Sequence, residues 1–326
     1  MLKDKFGRIH DYLRISLTDA CNFRCLYCIP EENTHFMPSA NLMQVEEIDQ
    51  IVKEFVKLGI RKIRLTGGEP LVRKDAQQII QCISKYPVEL TLTTNGTRVD
   101  EFINIFEEAG IKSLNISLDT LDREKFFRIT KRDVFEKIWN NIQLLLNKGF
   151  HVKVNAVIMR GMNDDEILSF IEWTKIQDVH VRFIEFMPFD KNNWNDQKVF
   201  SYAEMLEVIE SKYSFVKLKD GMNDTAKKFK PLGHLGTFAV ISTMTAPFCD
   251  NCNRLRLTAD GKMKNCLFSK GELDILNSLR KGEDIVPLIY QSVKAKAQAL
   301  GGQIGENYHE IDVLQIVNRS MINIGG

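Results

Sequence analysis

The chain has 326 residues, 44% hydrophobic and 27% charged, a composition that suits one large globular domain and a smaller one. Its formal net charge of +1 gives no general attraction to nucleic acid or to an anionic membrane. No stretch approaches the roughly 18 consecutive apolar residues of a membrane span, and the polar start MLKDKFGR contains no apolar signal segment. We therefore expect a cytoplasmic protein that binds any anionic ligand through a local basic cluster.

Short segments rich in β-branched residues alternate with segments of helical periodicity from residue 11 to about residue 188. The six predicted strands are 12–17, 62–66, 89–94, 113–118, 152–159 and 181–186. Three intervening helices are predicted to end at Gly59, Gly110 and Gly149, because glycine accepts the left-handed turn that closes a helix. This alternation predicts an α/β fold with a parallel sheet and right-handed crossovers.

The pattern changes after about residue 200. Ser201 and Glu204 form a capping box that predicts a helix, and the polar residues 219–234 predict a loop. Asp260 and Gly261 predict the turn of a hairpin. The other predicted elements are strands at 236–243 and 253–258, a β-ribbon over 254–266 and a last helix over 284–299. The residues after 318 show no periodicity.

Six of the seven cysteines form two groups of three. The first triad is Cys21, Cys25 and Cys28, and the second triad is Cys249, Cys252 and Cys266. Three thiolates leave one coordination position open for chemistry, whereas structural zinc sites use four protein ligands. The three-residue gap between Cys21 and Cys25 fits an iron–sulfur cubane better than a zinc knuckle. Structural zinc is the alternative.

Polar and glycine-containing motifs follow the C-terminal ends of the predicted strands. They are the cysteine loop 21–28, Gly67-Gly68-Glu69-Pro70, Thr94-Asn95-Gly96, Ser117-Leu118-Asp119, and Arg182 with Glu185 and Met187. In parallel α/β barrels this face carries the active site. We therefore expect the first triad to open onto a substrate site.

A second basic motif accompanies the second triad. Cys252, Arg254 and Arg256 are spaced by two residues, so in a strand their side chains face the same way. Arginine is suited to bidentate phosphate binding, and the sequence has no P-loop motif that would bind phosphate instead. The spacing predicts a phosphate site beside a metal centre; a solvated strand face is the alternative.

Together these motifs resemble those of the radical S-adenosylmethionine (SAM) superfamily, and within it the GTP 3′,8-cyclase (MoaA) family of molybdenum cofactor biosynthesis. The segments that carry the resemblance are 13–19, 21–28, 64–70, 92–96, 115–119, 182–187, 248–256 and the Gly-Gly end. The resemblance implies a partial six-stranded parallel (β/α) barrel over residues 5–222. It also implies a smaller C-terminal α+β region over 223–326 with a second iron–sulfur cluster, the GTP site and the Gly-Gly tail.

The resemblance also implies roles for individual residues. The first triad would bind a 4Fe–4S cluster whose open iron holds SAM, and the second triad a 4Fe–4S cluster whose open iron meets the guanine. The implied SAM contacts are Tyr27, Gly68, Glu69, Ser117 and Met187. The implied GTP contacts are Arg14, Arg64, Thr93, Lys153, Arg254, Leu255 and Arg256, with Lys62 and Arg182 as further candidates. Beyond the clusters, the candidates for a catalytic role are Arg14, Gly325 and Gly326.

The implied activity is that of a lyase that converts GTP to (8S)-3′,8-cyclo-7,8-dihydroguanosine 5′-triphosphate by radical chemistry. The implied partners are a flavodoxin- or ferredoxin-like one-electron donor and the cyclic pyranopterin monophosphate synthase, which would receive the product. No nucleic acid or membrane is expected as a partner. Monomer and homodimer both stay open.

Two other functions remain as alternatives: a radical SAM enzyme of the peptide-modifying type with an auxiliary cluster, and a non-catalytic zinc-binding interaction protein. Several single residues also have a purely structural interpretation. Lys153 is then an edge charge, Ser117 a strand-end hydroxyl, Met187 a core residue and the Gly-Gly end a frayed terminus.

Overall fold

A computed structural model describes residues 1–28, 35–305 and 307–325, so Gly326 lies outside the described residues. The strands are β1 (Leu2–Lys3), β2 (Ile9–His10), β3 (Tyr12–Ser16), β4 (Lys62–Thr66), β5 (Glu89–Thr94), β6 (Ser113–Ser117), β7 (His151–Ile158), β8 (His180–Glu185), β9 (Phe215–Lys217), β10 (Lys227–Pro231), β11 (Thr237–Ile241), β12 (Arg254–Leu257), β13 (Lys262–Lys264) and β14 (Leu273–Asp274). The α-helices are α1 (Val45–Lys57), α2 (Ala76–Ile83), α3 (Val99–Glu108), α4 (Arg123–Thr130), α5 (Phe135–Asn147), α6 (Ile167–Ile176), α7 (Tyr202–Glu210), α8 (Ile275–Arg280), α9 (Val286–Lys294) and α10 (Met321–Ile324).

One sheet of 12 strands organises the molecule, in the order β14-β13-β12-β3-β4-β5-β6-β7-β8-β11-β10-β9. Strands β3 to β8 are the six predicted strands, and they pair in parallel in chain order. Strand β12 joins them in parallel at one side and β11 at the other. The predicted parallel α/β architecture is confirmed.

The C-terminal strands therefore lengthen the six-stranded unit at both of its edges. In register, Arg254 is the partner of Tyr12 on β3, and Thr237 is the partner of His180 on β8. The sheet is continuous across the predicted boundary between residues 222 and 223, and that boundary stays a prediction. This arrangement brings both predicted triads to the same sheet.

Helix α1 shows how the sequence dictates the layers around the sheet. Gln44 and Glu47 cap its first turn reciprocally, and the buried residues Ile48, Ile51, Val52 and Phe55 form one stripe. Burying each of these side chains stabilises the fold by about 1.5–3 kcal/mol. After the helix, Gly59 takes a φ of 106°, the left-handed conformation predicted for it. The glycines that end α3 and α5 have positive φ values as well.

Two expectations for the C-terminal region are wrong. Residues 219–234 are not a loop throughout, because 227–231 form β10, which pairs with β11. Phe229 is buried there, although its neighbours in the sequence are polar. The final residues are not without regular structure, because Met321–Ile324 form α10 with Ile322 and Ile324 buried. Both segments owe their structure to the surface they contact, which their own periodicity does not reveal. The hairpin at Asp260 and the capping box at Ser201 are confirmed.

Across residues 1–28, 35–305 and 307–325, no helix is long and apolar enough to span a membrane.

Candidate active site

Three arginines form a row across neighbouring strands. In register, Arg256 on β12 is the partner of Arg14 on β3, and Arg14 is the partner of Arg64 on β4. Arg64 and Arg256 are each only 5% exposed. Burial and the positive charges of Arg256, Arg64 and Arg254 hold the pKa of Arg14 well below its usual range. Buried cations that disfavour one another in this way are stabilised by a bound anion.

Strands β6, β7 and β8, further along the same sheet, add amide and basic groups. Asn115 on β6 is the partner of Lys153 on β7, and Asn155 is the partner of Arg182 on β8. Burial, followed by the charges of Arg182, Arg64 and Lys62, lowers the pKa of Lys153 to about 8. Asn115 Oδ1, Asn155 Oδ1 and Arg182 Nε are buried atoms that have no hydrogen-bond partner among the described residues. Such atoms are rare in folded proteins and here indicate a ligand that would satisfy them.

The arginines and the two asparagines line a cavity of about 240 Å³, whereas Lys153, an implied GTP contact, is not among its described lining residues. The predicted residues that line it are Arg14, Arg64, Arg182, Met187, Arg254, Arg256 and all three cysteines of the second triad. The lining residues that sequence reasoning missed as ligand contacts include Tyr12, Asn115, Asn155, Phe248, Phe268, Lys296, Leu300 and Met321. Three of them could have been predicted, because residues two apart on a strand face the same way. Tyr12, Asn115 and Asn155 are each two residues from a predicted contact on the same strand. Lys296, Leu300 and Met321 have no such signal.

The environment of the second triad favours the thiolate at Cys252, whereas burial raises the pKa of Cys249. Burial alone would raise the pKa of Cys252, but the charges of Arg254 and Lys296 outweigh it and lower that pKa to about 6. Arg254 Nη2 donates to Cys252 Sγ at 3.5 Å, and the Leu300 N–H donates to Cys249 Sγ at 3.4 Å. Thiolates that accept hydrogen bonds in a cationic setting fit the ligand set of an iron–sulfur cluster.

The first triad lies in the loop after β3, among buried and acidic groups. Burial and the negative charge of Glu69 raise the pKa of Cys21 to about 11. The pKa values of Cys25 and Cys28 are also raised, by burial and then by nearby negative charges that include other cysteines of the triad. Free thiolates repel one another at such a site, whereas a bound cluster with positive irons suits three close thiolates. None of the three lines the cavity as far as the described residues show.

Gly68 and Glu69 fix the turn beside the first triad. A Cβ atom at Gly68 would lie 2.5 Å from the carbonyl oxygens of Asp19 and Ala20, so no larger residue fits. The Glu69 carboxylate accepts hydrogen bonds from the N–H groups of Leu71 and Asn95 and from the Thr94 hydroxyl. The side chain of Glu69 is therefore used within the protein, and its implied SAM contact stays a prediction.

Tyr27 and Met187 connect the first triad to the cavity. The Tyr27 hydroxyl donates to Asp119 Oδ2 at 2.7 Å, and Asp119 Oδ1 accepts from the Val157 N–H at 2.9 Å. Tyr27 and Met187 pack against the same apolar cluster, and Met187 also lines the cavity. Ser117 is half-buried and in register with Asn155. The implied SAM residues thus lie at or after the carboxyl ends of β3, β4, β6 and β8, and of them only Met187 lines the cavity among the described residues; their contact with SAM stays a prediction.

The first triad and the implied SAM residues lie at or after the carboxyl ends of β3, β4, β6 and β8, whereas Cys249, Cys252 and Arg254 lie at the amino end of β12. Sequence comparison identifies one family for both parts of the chain. The radical SAM superfamily model matches residues 15–174, and the "Molybdenum Cofactor Synthesis C" model matches residues 179–301. The chain is 44% identical over 333 residues to "GTP 3',8-cyclase, mitochondrial" of Arabidopsis thaliana, covering 100% of this chain and 84% of that protein. The chain belongs to the GTP 3′,8-cyclase family.

Other members of this family are also similar along the chain. "GTP 3',8-cyclase" of Peptoclostridium acidaminophilum is 39% identical over 331 residues, covering 100% of this chain and 98% of that protein. "Molybdenum cofactor biosynthesis protein 1" of Homo sapiens is 42% identical over 330 residues. The chain spans only 51% of that human protein, and 54% or less of several other relatives with similar names.

Solved structures share the fold of this cyclase-family chain. The crystal structure of Streptococcus suis SuiB bound to S-adenosylmethionine has a TM-score of 0.60 at 13% identity and covers 97% of this chain and 74% of that chain. Native anSMEcpe with bound AdoMet and a peptide has a TM-score of 0.54 at 13% identity and covers 96% of this chain and 92% of that chain. At these identities the likeness concerns the fold alone.

Three residues implied as GTP contacts by the family resemblance are placed differently from the arginine row. Leu255 is fully buried in the main hydrophobic core, on the opposite face of β12 from Arg254 and Arg256, so its side chain does not face the cavity. Thr93 Oγ1 accepts a hydrogen bond from Arg64 Nη1 at 3.3 Å instead of lining the cavity. Lys62 forms an ion pair with Glu89. The alternation of inward and outward residues along β12 decides the position of Leu255.

Neither triad forms a single-ion site. Within the described part of the chain, no three or more His, Cys, Asp or Glu side chains are placed to hold one metal ion. A zinc ion needs its thiolates about 2.3 Å away around one point.

Proposed function

We propose that the protein is a radical SAM lyase that converts GTP to (8S)-3′,8-cyclo-7,8-dihydroguanosine 5′-triphosphate, with a 4Fe–4S cluster on each triad. One observation carries the proposal: a single cavity is lined both by the second triad and by the half-buried Arg14 and the buried Arg64 and Arg256. A nucleoside triphosphate is the ligand that matches this pairing. Its phosphates suit the guanidinium groups, and its base suits an iron with an open position.

The basic residues supply the phosphate-binding part of the mechanism. Each guanidinium can donate two parallel hydrogen bonds to a phosphate group, and each such charge-assisted contact contributes about 1.5–3 kcal/mol. Arg254 is kept in place by the ring of Phe248, 4.9 Å from its guanidinium carbon. Arg64 is kept in place by the hydroxyls of Tyr12 and Thr93, to which it donates. Prior orientation of this kind lowers the entropy lost when the triphosphate binds.

The amide and apolar residues orient the rest of the substrate. Asn115, Asn155 and Arg182 present unpartnered polar atoms that can accept from or donate to a ribose or base. Phe248, Phe268 and Leu300 form an apolar wall beside the second triad and exclude water, which protects a radical intermediate from side reactions. When bound at Cys21, Cys25 and Cys28, a cluster with SAM would supply the one-electron radical chemistry that the conversion of GTP needs.

The partners follow from this chemistry and stay proposals. The reaction consumes electrons, so we propose a flavodoxin- or ferredoxin-like donor, and we propose that the cyclic pyranopterin monophosphate synthase receives the product. The cytoplasmic location also stays a prediction. The similarity of the chain to two proteins named GTP 3',8-cyclase supports the reaction.

An anaerobic turnover experiment tests the function. The protein is reconstituted with iron and sulfide and incubated with GTP, SAM and a low-potential reductant. We expect 5′-deoxyadenosine and a cyclised GTP product in equal amounts, and no product from ATP or without reductant. 5′-Deoxyadenosine without any GTP-derived product would favour the peptide-modifying alternative. A colourless protein that binds zinc and no sulfide would favour the interaction-protein alternative.

A further inference from the structure

Residues 4–11 contain three buried ionisable side chains that the proposed mechanism does not use, and we call this segment the N-terminal brace. Strand β1 precedes the brace and pairs antiparallel with β2 inside it, with Leu2 opposite His10. Asp4, Arg8 and His10 are 6%, 9% and 0% exposed, which is unusual for three ionisable side chains near a chain terminus. A charged group in the interior needs specific partners, and those of the brace lie beside the second triad.

Arg8 bonds directly to the backbone of a predicted cluster ligand. Its Nη1 donates to the carbonyl oxygen of Cys249 at 2.8 Å and to that of Gln298 at 2.6 Å. Its Nη2 donates to the carbonyl oxygen of Ala297 at 2.8 Å, and its Nε donates to Asp4 Oδ2 at 2.6 Å. The Asp4 carboxylate also receives the N–H groups of Phe6 and Arg8. Because the guanidinium is planar, these bonds set its orientation as well as its position.

The bonds of Arg8 also control an interaction of the Cys249 sulfur. Residues 297 and 298 lie three and two residues before Leu300, whose N–H donates to Cys249 Sγ at 3.4 Å. A single side chain thus holds both the backbone of the ligand and the segment that carries the donor to its sulfur. Hydrogen bonds to cluster sulfurs are among the determinants of reduction potential.

The brace holds the other end of the same ligand loop through Asp11. Asn253 Nδ2 donates to Asp11 Oδ1 at 2.6 Å, one residue after Cys252. Asn253 is 8% exposed, so water competes little for this bond. The loop from Cys249 to Asn253 is therefore fastened at both ends to a segment that lies more than 200 residues away in the sequence.

We propose that Arg8 is a positioning residue for the second cluster, and that the N-terminal brace sets both the retention and the potential of that cluster. The inference rests on the proposed second cluster. Loss of a group that orients a metal ligand typically weakens metal retention about 10–100-fold. Lysine at position 8 keeps the charge but cannot reach three carbonyl groups at once, so it should restore the function only in part.

The test uses a Cys25→Ala background, in which only the second cluster is expected to bind iron. In that background, Arg8→Lys and Arg8→Gln are compared with the parent for the rate of iron loss to a chelator and for the midpoint potential by electron paramagnetic resonance. We expect about 10–100-fold faster iron loss and a shifted potential, with Arg8→Lys intermediate. The matched control is Arg123→Lys, because the Arg123 guanidinium also donates to an aspartate, Asp133, but is exposed.

Further measurements separate the possible failures. Asp11→Ala should also speed iron loss, because it removes the hydrogen bond to Asn253 at the other end of the loop and leaves the hydrogen bonds of Arg8 in place. In the metal-free protein, hydrogen exchange of the Leu300 amide should quicken in Arg8→Lys even where the overall unfolding temperature is unchanged. Unchanged iron loss, potential and exchange in the Arg8 variants would overturn the inference while leaving the proposed function intact. A Cys25→Ala parent that binds no iron would instead overturn the second cluster, and the role of Arg8 with it.

Discussion

Arg256 Nη1 donates a hydrogen bond to the carbonyl oxygen of Gly325 at 2.7 Å. An arginine of the cavity thus holds the last residue that the structure describes. The buried side chains of Ile322 and Ile324 anchor the preceding turn, and Arg319 bonds to both Asp260 and Glu272. Gly325 is therefore docked against the sheet, which does not agree with a frayed terminus at that residue. Gly326 lies outside the described residues, and its role stays a prediction.

Gly325→Ala should suppress cyclisation while both clusters are retained. A Cβ atom there would lie 2.5 Å from Thr66 Oγ1 and 2.9 Å from Ser16 Cβ, at a φ of 86°. Left-handed backbone alone costs about 1–2 kcal/mol for a residue with a side chain, so we expect about a tenfold or larger loss of product formation. Iron content and product formation are measured together. The control is Gly271→Ala, because nothing lies within 4 Å of a Cβ atom at that position. Equal activity in both variants would mean that the docked tail has no part in the reaction.

Cys25→Ala and Cys266→Ala should separate the two clusters. We expect each variant to lose about one cluster's iron, because three thiolates are the minimum for a cubane with an open iron. Cys25→Ala should abolish 5′-deoxyadenosine formation, whereas Cys266→Ala should keep the SAM cluster and lose GTP binding and cyclisation. Iron analysis, sulfide analysis and product chromatography distinguish the cases. Retained SAM cleavage in Cys25→Ala would refute the role of the first triad.

Arg254→Ala should weaken GTP binding more than guanosine binding. Losing one charge-assisted contact to phosphate costs about 1.5–3 kcal/mol, roughly tenfold to a hundredfold in affinity. Arg254→Lys should restore part of the affinity, since the charge remains but the planar fork does not. Calorimetry with both ligands measures the difference. If GTP and guanosine lose affinity equally, Arg254 acts on the fold or on Cys252, to which it donates.

Arg256→Ala should show two defects at once. It removes a phosphate contact and also the bond to Gly325, so cyclisation should fall further than GTP affinity alone explains. Saturating GTP should therefore restore the activity of Arg254→Ala more fully than that of Arg256→Ala. The same recovery in both variants would mean that the bond from Arg256 to Gly325 does not contribute to turnover.

GTP affinity should fall as the pH rises from 7 to 9. Burial and the charges of neighbouring arginines and Lys62 lower the pKa of Lys153 to about 8, so it loses its positive charge in this range. Burial would raise the pKa of Tyr12, but the charges of Arg64 and Arg14 outweigh it and lower that pKa to about 8, so the phenol gains a negative charge. Both changes weaken phosphate binding. Lys153→Arg and Tyr12→Phe should each flatten the profile, and guanosine binding should depend less on pH.

The stability of the ligand-free protein should change in the opposite direction. Between pH 8 and pH 10, the unfolded chain binds more protons than the folded chain at both Lys153 and Tyr12, because both pKa values are lowered on folding. These two groups therefore raise the free energy of unfolding as the pH rises through that range. Denaturant titrations of the parent and of Tyr12→Phe measure this contribution. Affinity and stability that fall together with pH would show that global unfolding, and not these two groups, causes the loss of binding.

The six parallel strands, the glycines that end three helices, the two cysteine triads and the arginine pair on β12 could all be predicted from the sequence. These features depend on local spacing: alternation by two defines a strand face, and glycine defines a left-handed turn. The same rule would have identified Asn115 and Asn155, because each shares a strand face with a predicted contact.

Which distant segments join the site could not be predicted from the sequence and is seen only in the folded protein. Strands β11 and β12 extend the sheet at both edges, Lys296 and Leu300 come beside the second triad, Arg8 reaches Cys249, and Gly325 docks beneath Arg256. Each of these contacts joins residues far apart in the chain. Every residue has a carbonyl oxygen, and many have apolar surface, so the sequence does not show which distant group will bind there. The short helix α10 forms for the same reason, because burial against the sheet stabilises a segment whose own periodicity is too short to predict it.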